Sequence, residues 1–199
     1  MPSHRALRKI ETRRRILVAA ESLLKDRGPQ SATVEAVMHE AGLTVGGFYA
    51  HFESKETLAR EALLAGVERS FAWMTAGLDG ATPEQFAAAL IDRYLAQLED
   101  QGLASACPLT LLLPEVARAD QAFRDEFTAR TGALIGGVET RLPIVDGMMP
   151  RDVALAVFAT LSGAVTLARA AATMRGRRRV ASVARTSLAR LLGLPPRTV

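Results

Sequence analysis

The chain is poor in the residues that build covalent or metal-bound frameworks. Its 199 residues include one cysteine, Cys107, and three histidines. A single thiol excludes a disulfide within the chain and fits a reducing, cytoplasmic setting. His4, His39 and His51 all fall in the first third. None has a carboxylate or cysteine partner at ligand spacing, so no catalytic constellation, metal site or cofactor is expected. Aromatics make up only 5% of the residues, and no alternating strand pattern persists. No apolar run follows the first basic residues, so no secretory signal is expected. The longest uncharged run, Val153 to Ala168, contains Thr, Ser and Gly. It falls short of the ~20 residues a membrane span needs and reads as a buried helix, with no membrane partner. What remains is a helical chain, 49% apolar, with enough core for one or two domains.

The most informative stretch runs from Thr33 to Lys55, TVEAVMHEAGLTVGGFYAHFESK. Val34, Val37 and Met38 lie on one face at helical spacing. Gly42 breaks that helix, because glycine takes a left-handed turn cheaply. Leu43 packs back into the helix pair, and the Thr44 hydroxyl is placed to cap the next helix. That helix is very short and carries Gly46 and Gly47 before Phe48, Tyr49 and His51. Each interior glycine costs about 1 kcal/mol relative to alanine. A helix of this kind is a poor core element and makes sense where its backbone must approach something closely. The arrangement predicts a helix-turn-helix, with double-stranded DNA as partner through the major groove.

The chemistry of the segment assigns roles. Tyr49 can give its hydroxyl to a phosphate while its ring packs on the helix pair. Lys55 lies at the first turn of the following helix, where its ammonium and free backbone N–H groups can share one phosphate. Thr33 caps the second helix and can donate to another phosphate. Thr44, Val45, Gly46 and Gly47 occupy the exposed start of the recognition helix; Val45 can touch a thymine methyl, and the glycines admit close approach to base edges. His51 either meets phosphate or packs beneath the helix, and Phe52 reads as core. The net charge is +4, with Arg5, Arg8, Lys9, Arg13, Arg14 and Arg15 near the start against Glu11 alone. This reads as a basic arm joined to a helix start, with Arg5 and Arg13 as phosphate or minor-groove partners. A second cluster, Arg175, Arg177, Arg178 and Arg179, reads as an exposed turn, positive charge being favoured at the end of the preceding helix.

The segment Ala41 to Leu58, AGLTVGGFYAHFESKETL, preceded by TRRRILVAAESLLKDRG from Thr12 to Gly28, resembles the N-terminal domain of the TetR (tetracycline-repressor-like) family of bacterial transcription regulators. The resemblance covers about the first third of the chain and supports Thr33, Thr44, Tyr49, His51 and Lys55 as backbone contacts. The chain departs from the family pattern at Met38, where a small residue is usual, and at Gly47, where a small hydroxyl residue is common.

The remainder reads as helix throughout. A first helix spans roughly Leu7 to Asp26, stopped by Gly28 and Pro29. A fourth begins at the Ser54 cap, with Glu56 and Glu61 near its positive end. Pro83 suits the first position of a fifth helix after Thr82, ending at Gly102. Pro114 is expected to kink or split the sixth. A longer helix starts at Asp120, and two more span about Asp152 to Met174 and Val180 to Leu192. The fold expected is all-α, about nine helices. Residues 1–55 form the helix-turn-helix DNA-binding domain and the helix over 54–76 connects the domains.

The resemblance implies that residues 77–199 form a helical ligand-binding and dimerisation domain. Met74, Phe86, Tyr94, Cys107, Leu111, Phe123, Phe127 and Phe158 are the candidate ligand-binding residues. Few charges fall on these faces, so a lipophilic, uncharged small-molecule effector is expected. The last two helices are the expected homodimer surface through Ala159, Gly163, Ala164, Leu167, Ala171, Val183, Leu188 and Leu191. The function implied is a ligand-responsive repressor that binds a pseudo-palindromic operator as a homodimer. Cys107 reads first as a small buried hydrophobe. The alternative is a thiol sensor of electrophiles or oxidants, since SACPL places it near a helix start. A cysteine-dependent enzyme would need a general base that the sequence does not bring near Cys107, and a helical adaptor without DNA binding would not need the basic arm, Tyr49 and Lys55.

Overall fold

The computed structural model describes residues 3–28, 32–96, 98 and 108–195. Among the described residues the chain forms eight α-helices and one 3-10 helix, with no strand. It divides into two compact units, residues 1–67 and 68–199.

The first unit holds α1 (His4–Arg27), α2 (Val34–Glu40), the 3-10 helix η1 (Val45–Ala50) and the first turns of α3 (Lys55–Thr75). Apolar residues three and four apart on α1, Ile16, Ala19, Ala20, Leu23 and Leu24, are buried, as a 3.6-residue period requires. They share a core with Val37, Met38, Phe48, Phe52, Leu58 and Ala62. Burying one such large side chain is worth about 1.5–3 kcal/mol, so this small domain rests on a few residues. Gly28 ends α1 at φ 76°, giving its N–H to the Leu24 carbonyl at 3.1 Å. The helix starts at His4, capped by Ser3, whose hydroxyl accepts from the Ala6 N–H at 3.2 Å. Arg5, Arg8 and Lys9 therefore ride on a helix and do not form the arm the sequence suggested.

The second unit holds the end of α3, then α4 (Pro83–Ala96), α5 (Pro108–Arg118), α6 (Gln121–Glu139), α7 (Pro150–Ala170) and α8 (Met174–Leu191). α7 packs against α4, α5, α6 and α8. Phe71, Met74, Leu90, Tyr94, Val157, Phe158, Leu161 and Leu188 lie in the interior. The caps follow the sequence. The Thr82 hydroxyl accepts from the Gln85 N–H while the Gln85 side-chain amide oxygen Oε1 accepts from the Thr82 N–H, a reciprocal box that satisfies two end donors. The Asp120 carboxylate accepts from the Phe123 N–H at 2.9 Å and starts α6.

Three expectations change, and one falls outside the described residues. α5 runs on through Pro114 as one element, although a proline costs an internal hydrogen bond. The expected end of the fifth helix at Gly102 lies outside the described residues. α7 is buried on one side only: Val153, Val157, Leu161 and Val165 face inward, whereas Leu155, Ala159, Gly163 and Leu167 are exposed. By length and composition alone α7 is apolar enough to cross a membrane; its buried side belongs to the core of this unit. Finally, the turn after α7 comes early, at Ala171 to Thr173, so Arg175 and Arg177 to Arg179 sit in the first turns of α8. The charge that was expected at a favourable helix end lies at an unfavourable helix start.

Candidate nucleic-acid interface

Three local devices set the helix-turn-helix. The Thr33 hydroxyl accepts from the Ala36 N–H at 3.2 Å and starts α2. Gly42 takes φ 67°, the left-handed turn expected, and its N–H reaches the His39 carbonyl. The Ser54 hydroxyl accepts from the Thr57 N–H at 3.0 Å and starts α3. Thr44 departs from expectation. It precedes η1 in an extended conformation, but its hydroxyl makes no capping bond; its carbonyl accepts from the Gly47 N–H instead. The element it introduces is a tight 3-10 turn, consistent with two adjacent glycines that favour helix weakly.

η1 is pinned from beneath and open above. Phe48 is fully buried, edge-on to Tyr49 at 5.1 Å and tilted on Phe52 at 5.8 Å. Phe52 is core, as expected. Tyr49 turns outward and is 73% exposed. Thr33, Thr44, Val45 and Gly46 are exposed, and Gly47, His51 and Lys55 are half-buried. A large aromatic left mostly in solvent beside a valine, a threonine and a bare glycine, touching its own unit only through the Phe48 edge, gives that unit little packing energy. The outward set suits an external surface that brings phosphates and base edges.

The two departures from the family pattern face each other. Met38 is buried, and a Cβ built on Gly47 would sit 3.8 Å from its terminal methyl. The larger residue on α2 occupies space beside the position that has no side chain.

Sequence reasoning missed the braces. The Arg15 guanidinium reaches across from α1 to the Ala41 carbonyl at 2.5 Å. It lies 3.1 Å from where a Gly42 Cβ would be, so it locks the turn from outside. Arg13 pairs with Glu61 and lies over the Phe52 ring at 4.6 Å. Its guanidinium, expected to reach DNA, is committed within the unit. The His51 pKa lies below its ordinary value, through partial burial and the nearby charges of Lys9 and Arg13, and its Nδ1 is enclosed without a hydrogen-bond partner. These contacts link positions far apart in sequence, which local periodicity cannot register.

In the second unit, Met74, Phe86, Tyr94, Phe123, Phe127 and Phe158 are all buried. Phe158 stacks on Phe71 at 4.8 Å, and the Tyr94 and Ser162 hydroxyls share a buried hydrogen bond at 3.2 Å. Phe86 is covered by the Arg141 guanidinium at 4.0 Å, which also donates to the Leu78 carbonyl at 2.6 Å, so it serves as a structural clamp. Cys107 lies outside the described residues, as does the Leu111 side chain. Among the described residues no cluster of His, Cys, Asp or Glu is arranged to hold a metal. Of the expected dimer residues, Ala159, Gly163, Leu167 and Val183 are exposed, while Ala171 and Leu191 are half-buried. Leu188 is buried in the chain's own packing, and Ala164, also buried, borders the groove between α7 and α8. A groove of about 520 Å³ between α7 and α8 is lined by Ala159, Gly163, Leu167, Val180 and Val183.

A short helix fixed to a small core by one buried aromatic, with its outer face open to solvent, is the arrangement of a DNA-binding helix-turn-helix. Residues 16–62 match the model of the bacterial regulatory proteins of the tetR family. Over 167 residues the chain is 28% identical to the HTH-type transcriptional regulator Rv0196 of Mycobacterium tuberculosis, covering 79% of this chain and 84% of that one. Its fold matches a TetR transcriptional regulator from Chloroflexus aurantiacus with a TM-score of 0.68 and 26% identity, over 94% of this chain and 98% of the other. A transcriptional regulator from Saccharomonospora viridis, solved in complex with choline, shares the fold at a TM-score of 0.69 and 19% identity, over 91% and 96% of the two chains. Residues 16–62 thus carry the DNA-binding domain of the tetR-family regulatory proteins, and the chain is similar to TetR-type transcriptional regulators over most of its length.

Proposed function

We propose that this regulator is a cytoplasmic repressor that binds a pseudo-palindromic operator as a homodimer and leaves it when a small molecule enters the second unit. The observation that carries the reading is the outward face of η1, where Thr44, Val45, Gly46 and Tyr49 stand exposed over buried Phe48. Thr33, Tyr49, His51 and Lys55 position the phosphate backbone, and Val45 with the glycines reads the groove. Arg5 on α1 is exposed and adds a phosphate contact. Two recognition elements in successive major grooves require two copies, and the exposed α7–α8 face, rich in small and aliphatic side chains, suits a four-helix interface.

The interior of the second unit supports an uncharged, largely apolar effector. It is built from aromatic and aliphatic side chains, with the Tyr94–Ser162 pair as a polar handle. α3 begins in the first unit and ends in the second, so a displacement of its end is carried along one continuous helix. The effector and the operator are coupled because each favours a different position of that helix.

Anisotropy titration against operator fragments selected from genomic DNA tests the reading. A specific complex is expected that Tyr49→Ala with Lys55→Ala abolishes while the helical circular dichroism is unchanged. Wild-type protein that selects no sequence from the genome overturns it.

A further inference from the structure

The chain carries no Asp or Glu after Asp152 but eight arginines. Among the described residues only Arg185 in this stretch pairs with an acid, Asp92 at 3.1 Å. Five of the eight gather at the corner joining α7 to α8: Arg169 in the last turn of α7, and Arg175, Arg177, Arg178 and Arg179 in the first turns of α8. The start of a helix carries positive partial charge and favours acids; this one has none in its first turn. The corner is also held tightly. The Thr173 hydroxyl accepts from the Gly176 N–H at 3.1 Å, and a Cβ on Gly176 would lie 3.2 Å from the Ala171 Cβ. The arginines on either side of it cannot easily separate.

On two of them one nitrogen lacks an acceptor. Nη1 of Arg169 and Nε of Arg177 are closed off from solvent and have no hydrogen-bond partner among the described residues. Burial and the neighbouring Arg177 charge depress the Arg169 pKa, which fits two cations held together. Enclosed donors on charged groups are costly to leave unsatisfied. Both side chains are only half-buried overall, so an anion entering from their open side would accept from both, cancel their repulsion and complement the helix start in one step.

We infer that Arg169 and Arg177 form a binding site for a compact, multiply charged oxyanion of the phosphate type. Guanidinium groups match such an anion through paired N–H donors. The site is separate from the effector and operator readings and depends on neither. It also adjoins the α7–α8 groove, whose lining includes Gly176 and Arg179.

The test is thermal unfolding of the full-length protein in chloride, inorganic phosphate, pyrophosphate or glycerol phosphate at matched ionic strength, for the wild type, Arg169→Gln/Arg177→Gln and Arg178→Gln. A saturable rise in Tm of roughly 5–10 °C is expected at a hundredfold excess of bound anion over its dissociation constant. Arg178→Gln keeps that rise and the double variant loses it. In chloride the double variant melts no lower than wild type, because it removes a repulsion; a purely structural pair would melt lower. Response to the inorganic anions but not to glycerol phosphate identifies a free anion, and the converse a phosphate ester; either supports the site. No response beyond chloride, or an equal response in the double variant, overturns it. So does loss of the dimer or of operator binding in the double variant, which would assign the arginines to a partner carboxylate or to DNA phosphates.

Discussion

At the scale of single residues, the recognition face is decided by what lies under each position. Gly47 has Met38 beneath it at ordinary contact distance, and its backbone is not left-handed. Serine therefore fits. Gly47→Ser is expected to raise stability by about 0.5–1 kcal/mol in urea unfolding, since glycine loses more conformational freedom on folding, and to leave operator affinity equal or tighter through an added hydroxyl. A loss of stability would show that Met38 cannot accommodate a Cβ. Gly42 presents the opposite case: positive φ, with Arg15 at 3.1 Å. Gly42→Ala is expected to cost about 1–3 kcal/mol and to weaken operator binding by disturbing the turn. His51 permits a test with two signs. Its folded pKa lies below the ordinary 6.5, so it is neutral in free protein near pH 7. Its share of stability is present above 6.5 and is lost as pH falls from there through the folded value. A phosphate beside it reverses the shift, so operator affinity should rise over the same fall in pH and flatten in His51→Asn. Affinity independent of pH would remove His51 from the contact set.

At the scale of elements, local chemistry was legible at most ends that one residue decides, Thr44 with its idle hydroxyl being the exception. Thr33, Gly42, Ser54, Thr82 and Asp120 each start or stop a helix as read, because a cap involves neighbours within four positions. Phe52 was read as core and Tyr49 as reaching outward, and both are so placed, but the buried anchor Phe48 was not singled out. What else escaped was set at longer range. The carbonyls of Trp73 and Met74 at the end of α3, and of Ala76 just after it, accept from Arg93, which lies on α4, and Arg13 is drawn to Glu61. No periodicity reveals such a pair. The Arg175–Arg179 cluster was placed at the wrong helix end because its charge was read as obeying the dipole rule, and the turn that places it is set by the packing of Gly176 on Ala171. The Ser54 cap gives the element-scale prediction. Ser54→Ala removes the acceptor of the Thr57 N–H and should cost about 1 kcal/mol. The loss should fray the first turn of α3 and weaken Lys55 at its phosphate, so Ser54→Ala lowers operator affinity although the side chain touches no base. Ser54→Asp, which retains an acceptor, should restore the stability.

At the scale of the whole molecule, the question is how a chain with a modest net charge of +4 holds a polyanion specifically. One helix-turn-helix offers few phosphate contacts, and each contributes a fixed increment to the salt dependence of binding. Two copies double both the increment and the length of sequence read. The proposed face joining them has Leu167 at 65% and Val183 at 54% exposure, aliphatic groups for which the isolated chain provides no cover. Leu167→Glu sets a charge there without touching either core. Light scattering should show the variant as a monomer with unchanged helical circular dichroism, because the altered side chain is already in solvent in the single chain. Its binding to a full operator should then fall steeply, and the slope of log affinity against log salt should drop to about half the wild-type value, one set of phosphate contacts remaining of two. A variant that stays dimeric places the interface elsewhere. A monomeric variant with an undiminished slope would mean that one recognition unit already makes every phosphate contact, and the symmetric reading of the operator would have no physical basis.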